Sequence, residues 1–247
     1  MEYAHYRFWS RYNSEKPSAD AFKIRLMKLL RRVLGLTFTL RYLERKELRS
    51  VHKYKEITHL FPPSGKKVLR QIIADEEQHR KEFNRRFKGR ITYISFIVLG
   101  LADALVEIAG IHAGALGIYN STEVAGLAGI VAGAAASIAM ASAAYAQAKT
   151  GFKGSATISA IYTGISYFVT AVILATPYFL TKAMVGALSA SLLLAVVLIT
   201  FISFYESVIS GSQFKKDFVE ITSIMFGATV ALYLIGTVIR HFIPITF

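Results

Sequence analysis

The spacing of apolar positions changes character near residue 91. Beyond it come five nearly continuous apolar stretches, at about 91–113, 123–146, 156–180, 183–206 and 218–240. Each is long enough for a helix to cross a bilayer core roughly 30 Å thick. Helices are expected because backbone polar groups in lipid must bond within their own segment. Ahead of residue 91 the pattern is amphipathic. Ala21–Leu36 (AFKIRLMKLLRRVLGL) mixes Leu, Ile, Met and Phe with five Lys/Arg, which predicts a basic helix lying on a membrane surface. Tyr3, Tyr6, Phe8, Trp9 and Tyr12 are expected at the same interface. Helical spacing runs on to about His59, and Pro62-Pro63-Ser64-Gly65 breaks it. A second helix is expected from near Ser64 through Arg90, continuing into the first span. The chain thus reads as all-α: a helical hairpin over residues 1–90 and a five-span bundle over 91–247. So few apolar residues give the hairpin a thin core, so a partner is expected.

Charge sharpens this division. Residues 1–92 hold 23 Lys+Arg against 10 Asp+Glu, whereas residues 93–247 hold 6 of each, so the net +13 belongs to the front of the chain. Beside membrane spans, such a block points to cytoplasmic retention and anionic lipid rather than nucleic acid. Lys149, Lys153, Lys215 and Lys216 fall in loops on the side of the basic N-terminus; the opposite side holds only Lys182 and Arg240. The positive-inside rule then places the N-terminus in the cytoplasm and the C-terminus outside. The first 20 residues contain no apolar run, so the first span is expected to act as the insertion signal. There are no cysteines, which excludes disulfides and thiolate metal sites.

The first span carries Asp103 and Glu107 near mid-membrane, where an ionisable side chain costs at least ~2.5–3.5 kcal/mol. Gly100, Asp103, Glu107, Gly110 and Gly114 follow a 3-4-3-4 spacing and share one helix face. Glycines admit a close neighbour, and the carboxylates between them supply oxygen ligands for a cation. The bland alternative is that both acids bond to Ser or Thr on other spans. His112 lies roughly opposite Asp103 and near the outer end. Span two is rich in Ala and Gly, with Gly129 and Gly133 in GxxxG spacing, a packing signal. Met140, its only thioether, is a candidate soft ligand on the transport path. Glu206 is expected at the interface, and Asp217 and Glu220 open the fifth span.

In the hairpin, Glu76-Glu77-Gln78-His79 contains E-x-x-H, whose two ligands share a helix face. Leu69, Ile72, Glu76, His79 and Phe83 form one stripe. Leu36, Leu40, Leu43, Glu47, Ser50, Tyr54 and Ile57 form another on the preceding helix. Pairing the two stripes brings Glu47 towards Glu76 and His79, three metal ligands on otherwise apolar faces. Glu44 and Glu77 flank them as auxiliary ligands or as solvated surface. A complete di-metal carboxylate bundle needs four helices, so two copies of this hairpin would complete it. The alternative is a polar layer in a coiled-coil-like hairpin.

The stretch Val98–Gly117 (VLGLADALVEIAGIHAGALG) resembles the first span of the vacuolar iron transporter family, with Asp103 on that family's membrane aspartate. Val124–Ser137 (VAGLAGIVAGAAAS), Pro177-Tyr178 and Tyr233–Gly236 are similar to signatures of its later spans. The hairpin looks like half of a rubrerythrin or ferritin-like domain, as in membrane-bound ferritin. Departures exist: Ala102 and Ala104 flank the aspartate, Glu107 is an extra acid, and Met140 is displaced by about two positions. Only Ala148–Ser155 joins spans two and three, where eukaryotic members carry a long cytoplasmic insertion.

The resemblance implies a homodimeric antiporter in a prokaryotic plasma membrane, exporting Fe²⁺ (or Mn²⁺ or Zn²⁺) from the cytosol against protons. The hairpin would capture or oxidise the metal. Two alternatives stay open: a membrane-anchored ferroxidase or peroxidase, and a non-catalytic membrane-surface binding module.

Overall fold

The structure is a computed structural model that describes residues 2–12, 20–151 and 154–243. It divides into two compact units, Met1–Arg90 and Ile91–Phe247. In the first, helix α1 (Glu2–Trp9) precedes α2 (Ala21–Ile57), a 3₁₀ turn at Thr58–Leu60, and the opening of α3 (Pro63–Tyr119). Asp20 caps α2 by accepting the N–H groups of Lys23 (3.1 Å) and Phe22 (3.0 Å); the Lys23 N–H, and then the Lys23 ammonium, hold its carboxyl below the usual carboxylate range. Pro63 suits a first helical position because its fixed φ is already helical.

Helix α2 is broken at Gly35, whose φ of 85° and ψ of 169° lie in a region nearly closed to other residues. The Thr39 hydroxyl donates to the Gly35 carbonyl (3.0 Å) as the helix resumes. Beyond the break, the inward face differs from the expected one. Phe38, Thr39, Glu44 and Val51 are buried, whereas Leu43 and Glu47 are exposed. Tyr54 and Ile57 of the expected face do pack inward, while Glu44 and Val51 replace Leu43 and Glu47, so the buried strip is shifted by a fraction of a turn over that stretch.

The aromatic N-terminus is only partly a surface feature. Phe8 is buried with Leu69 and Ile72, and Trp9, Tyr54, Ile57 and Phe61 pack around them. The Tyr12 ring meets Phe61 edge-on with centroids 4.9 Å apart. Helix α1 therefore closes the hairpin's own core, and of the expected interface residues Tyr3 and Tyr6 remain exposed together with Tyr12.

In the second unit, the rest of α3 is followed by α4 (Thr122–Lys149), α5 (Ala156–Leu180), α6 (Met184–Ile209) and α7 (Phe214–Phe242). Five helices are long and apolar enough to cross a membrane: Tyr93–Tyr119 within α3, and α4 to α7. Their core runs along Ala104, Leu105, Ile108 and Ala109 of α3, meeting Tyr167, Ala171 and Leu174 of α5 and Ile199 and Ile202 of α6. Large apolar side chains point outward, as in Val185 (79% exposed) and Ile138 (70%), an arrangement compatible with a bundle in hydrocarbon.

Small residues set the approach of the helices. A Cβ at Gly100 would stand 2.3 Å from the Thr163 carbonyl oxygen, so α5 lies directly against α3 there. Gly114 and Gly236 bring α3 and α7 together, with only 2.3 Å between a Gly236 Cβ and the Gly114 oxygen. The glycines of the first span's polar face are thus taken up by helices of the same chain.

Candidate functional site

Asp103 and Glu107 flank the centre of the first span and sit one turn apart on α3. Asp103 is half-buried and Glu107 is exposed on the side of the chain. The fully buried Tyr167 of α5 donates its hydroxyl to Glu107 Oε2 at 2.6 Å. Its position is held from the same helix. Thr163 donates to the Phe96 carbonyl (3.0 Å) and Ser166 to the Ile97 carbonyl (3.1 Å), stitching α5 onto an earlier stretch of α3. Ser159, Thr163, Ser166, Tyr167 and Thr170 form one polar stripe at helical spacing. Tyr167 is the residue that sequence reasoning missed. That stripe was the signal for it, since hydroxyls on one face of a span need partners on the next.

Met140 is partly buried and packs against the core cluster that contains Ala104, Leu105, Ile108 and Tyr167. His112 is fully buried with its ring 4.3 Å from that of Tyr178, and among the described residues neither of its nitrogens has a hydrogen-bond partner. Gly129 makes this possible: a Cβ there would lie 1.9 Å from His112 Nε2. The other glycine of the GxxxG pair, Gly133, faces apolar side chains, Ala171 and Ile108. At the other end of the bundle, Glu206 is partly buried and Asp217 lies in the first turn of α7.

The second candidate lies within the first unit. Glu44, Glu47, Glu76 and His79 all line one cleft of about 380 Å³ between α2 and α3, with Glu77, Arg80 and Glu82 also on its wall. Glu44, 7% exposed, pairs through Oε2 with Arg41 (2.5 Å), while its buried Oε1 has no partner. Glu76 also faces α1: His5 Nδ1 is 3.3 Å from its Oε1, and His5 Nε2 is 3.5 Å from Asp75 Oδ2. The Gln71 amide, and then His5, hold the Asp75 carboxyl below its ordinary range. Glu77 stands apart at the edge. Lys55 reaches it at 2.7 Å and keeps its carboxyl low.

Among the described residues, no three His, Asp or Glu side chains gather closely enough to form a metal set. The reason lies in the partners just named: Glu76 is drawn towards His5, and Glu44 towards Arg41. Glu44 Oε1 is left without a partner, and five more carboxylate or imidazole groups, Glu47, Glu76, Glu77, His79 and Glu82, line the same cleft, the oxygen and nitrogen donor types that a divalent ion takes. His5 gave no signal in the sequence, being about 70 residues from its partners.

No protein-family model, curated protein or solved structure matches the chain.

Proposed function

We propose that this chain is a homodimeric carrier of a divalent transition metal, Fe²⁺ or its close relative Mn²⁺, moving it out of the cytosol in exchange for protons. One observation carries the reading. At the centre of the first span, Glu107 is exposed on the flank of the bundle, tied by Tyr167, with Asp103 one turn away. A carboxylate facing hydrocarbon costs at least ~2.5–3.5 kcal/mol. The glycines of that helix face stay packed on α5 and α7 of their own chain, and the exposed side of Glu107, covered by the same side of a second copy, would bring four carboxylates together. Such a set suits Fe, Mn and Zn alike. Protons arriving from the outer side would compete with the metal for these oxygens and release it.

The likeness of Val98–Gly117 to the first span of the vacuolar iron transporter family supports the same cargo, and the lysines of the loops support a cytoplasmic N-terminus. The membrane of this proposal is a prokaryotic plasma membrane. The hairpin serves as the metal collector: two copies would form a ferritin-like four-helix bundle, with Glu44, Glu47, Glu76 and His79 as its ligands. Bound iron would supply ferroxidase chemistry there. The protein's own part is to offer the oxygen and imidazole donors of that cleft.

The test is metal flux into proteoliposomes. Asp103→Asn and Glu107→Gln are expected to abolish Fe²⁺ transport while leaving the protein dimeric. Undiminished flux in both variants overturns the proposal. Glu76→Ala combined with His79→Ala is expected to lower the metal content of the purified protein without stopping flux at saturating Fe²⁺. Unchanged metal content removes the collector.

A further inference from the structure

The stretch ahead of the Gly35 break is the least accounted for part of the molecule. Over residues 21–34 it carries Lys23, Arg25, Lys28, Arg31 and Arg32, and no acid occurs between Asp20 and Glu44. All five basic side chains are exposed. Among the described residues, the one ion pair here joins Lys23 to Asp20, at 3.1 Å. Apart from Ile24, which is 45% exposed on the opposite side, the large apolar residues split into two sets. Met27, Leu30 and Leu34 are partly buried. Phe22, Leu26, Leu29 and Val33 follow i, i+4, i+7, i+11 spacing, form one stripe, and are 73%, 37%, 57% and 67% exposed. On a helical wheel, Arg25 and Arg32 border that stripe, and Lys28 and Arg31 lie beyond them.

We infer that this segment docks on the anionic headgroups of the bilayer in which the protein's spans reside, with Phe22, Leu26, Leu29 and Val33 entering the acyl boundary. The chemistry selects the occupant. An apolar stripe edged by arginines matches a surface that is anionic outside and hydrocarbon beneath. A nucleic acid would satisfy the charge and leave the stripe in water. A second copy of the same helix would satisfy the stripe and oppose five positive charges with five more. Attachment to a five-span bundle also keeps the segment near a bilayer, so even modest affinity suffices. Each Lys or Arg near an anionic leaflet strengthens binding roughly fivefold. The Gly35 break lets the segment take its own angle: its conformation is nearly glycine-only, and nothing lies within 4 Å of where a Cβ would sit. This inference needs only that the chain is membrane-embedded and is independent of what it transports.

The absence of cysteine allows a background-free test on the full-length protein. Leu29→Cys, labelled with an environment-sensitive fluorophore, would be compared in nanodiscs of phosphatidylcholine alone and of phosphatidylcholine with phosphatidylglycerol. The expected result is a blue shift confined to the anionic discs, quenched by brominated acyl chains and reversed by salt. A label at Lys53→Cys, on the other side of the break, should not shift. Combining Arg25→Gln, Lys28→Gln, Arg31→Gln and Arg32→Gln, all surface positions, should remove the Leu29 shift and leave the protein's size-exclusion profile unchanged. Identical spectra in the two lipids overturn the inference, as does a shift that survives loss of the four charges. Leu29→Cys disulfides between copies with no lipid dependence would assign the stripe to self-association, and a shift on adding an oligonucleotide instead of anionic lipid would assign it to nucleic acid; either result overturns it.

Discussion

Gly129→Ala asks whether the notch that houses His112 is as tight as it looks. An added Cβ would meet His112 Nε2 at 1.9 Å, Cδ2 at 2.5 Å and Cε1 at 2.9 Å. Ordinary contact would require a separation larger by roughly 1.5 Å, and the ring has nowhere to go, being fully buried and packed on Tyr178. The relief available is for α4 to move off α3, which loosens the Gly133 contact with Ala171 one turn away. Overpacking of this kind costs about 1–3 kcal/mol, against a gain of up to about 1 kcal/mol from replacing glycine in a helix. Gly227 supplies the control, because nothing lies within 4 Å of its would-be Cβ and only the gain applies. The gap between the two variants should be about 1–3 kcal/mol, or roughly 2–12 °C in apparent Tm for a chain of this size. His112→Ala removes the obstacle. In that background Gly129→Ala should cost less by about 1–3 kcal/mol, a coupling that thermal unfolding of the detergent-solubilised protein can measure. The reasoning is refuted if Gly129→Ala behaves like Gly227→Ala, or if its cost is the same with and without the imidazole.

Other perturbations probe the remaining elements. Tyr167→Phe deletes the hydrogen bond to Glu107, worth about 1.5–3 kcal/mol to an ionised acceptor. Proteoliposome assays should show metal flux lowered by roughly ten- to a hundredfold with the protein still folded, and unaltered flux would detach Tyr167 from the path. Gly35→Ala forces a β-carbon into a backbone region that costs of order 1–3 kcal/mol. Because no neighbour crowds the site, the loss should appear as straightening of α2, read as a changed spin-label distance between positions on either side of residue 35. The Lys55–Glu77 pair lowers the Glu77 pKa in the folded chain. Its small stabilisation should therefore be present above the unfolded carboxylate pKa of about 4.3 and fade as pH falls through the lower folded value. Wild type and Glu77→Gln should differ in Tm at neutral pH and converge in acid.

The spans were legible because lipid imposes a simple rule, a long apolar run, and all five helices lie where those runs predict them. Asp103 and Glu107 were legible for the same reason, since a charge stands out against such a background. What escaped depended on partners distant in sequence. Tyr167 looks like any aromatic until Thr163 and Ser166 fix its register on α3. The N-terminal aromatics have the composition of an interface belt and equally of a small core. Phe61, some 50 residues on, decides in favour of the core for Phe8 and Trp9, while Tyr12 meets the same ring from an exposed position. Glu44 and Glu47 exchanged their expected environments because a modest rotation of α2 suffices to move a side chain three positions along from the wall to the rim. Gly129 carried the signature of helix contact, yet its neighbour is an imidazole.

The two central carboxylates are not equivalent, and the difference bears on how such a site would work. Glu107 is exposed but held, because a buried tyrosine anchored by α5 fixes one of its oxygens at 2.6 Å. Asp103 is less exposed, yet among the described residues no hydrogen bond reaches it. A carrier needs both properties. One ligand must keep its geometry when the site is empty, or each binding event would have to order it anew; another must exchange a metal for a proton without breaking the scaffold. In the transport reading, Glu107 with Tyr167 is the fixed element and Asp103 the exchanging one. The close packing at Gly100, one turn before Asp103, then makes physical sense. It locks α5, and with it Tyr167, to the helix that bears both acids, so the anchored oxygen and the free carboxylate keep one spacing throughout the cycle.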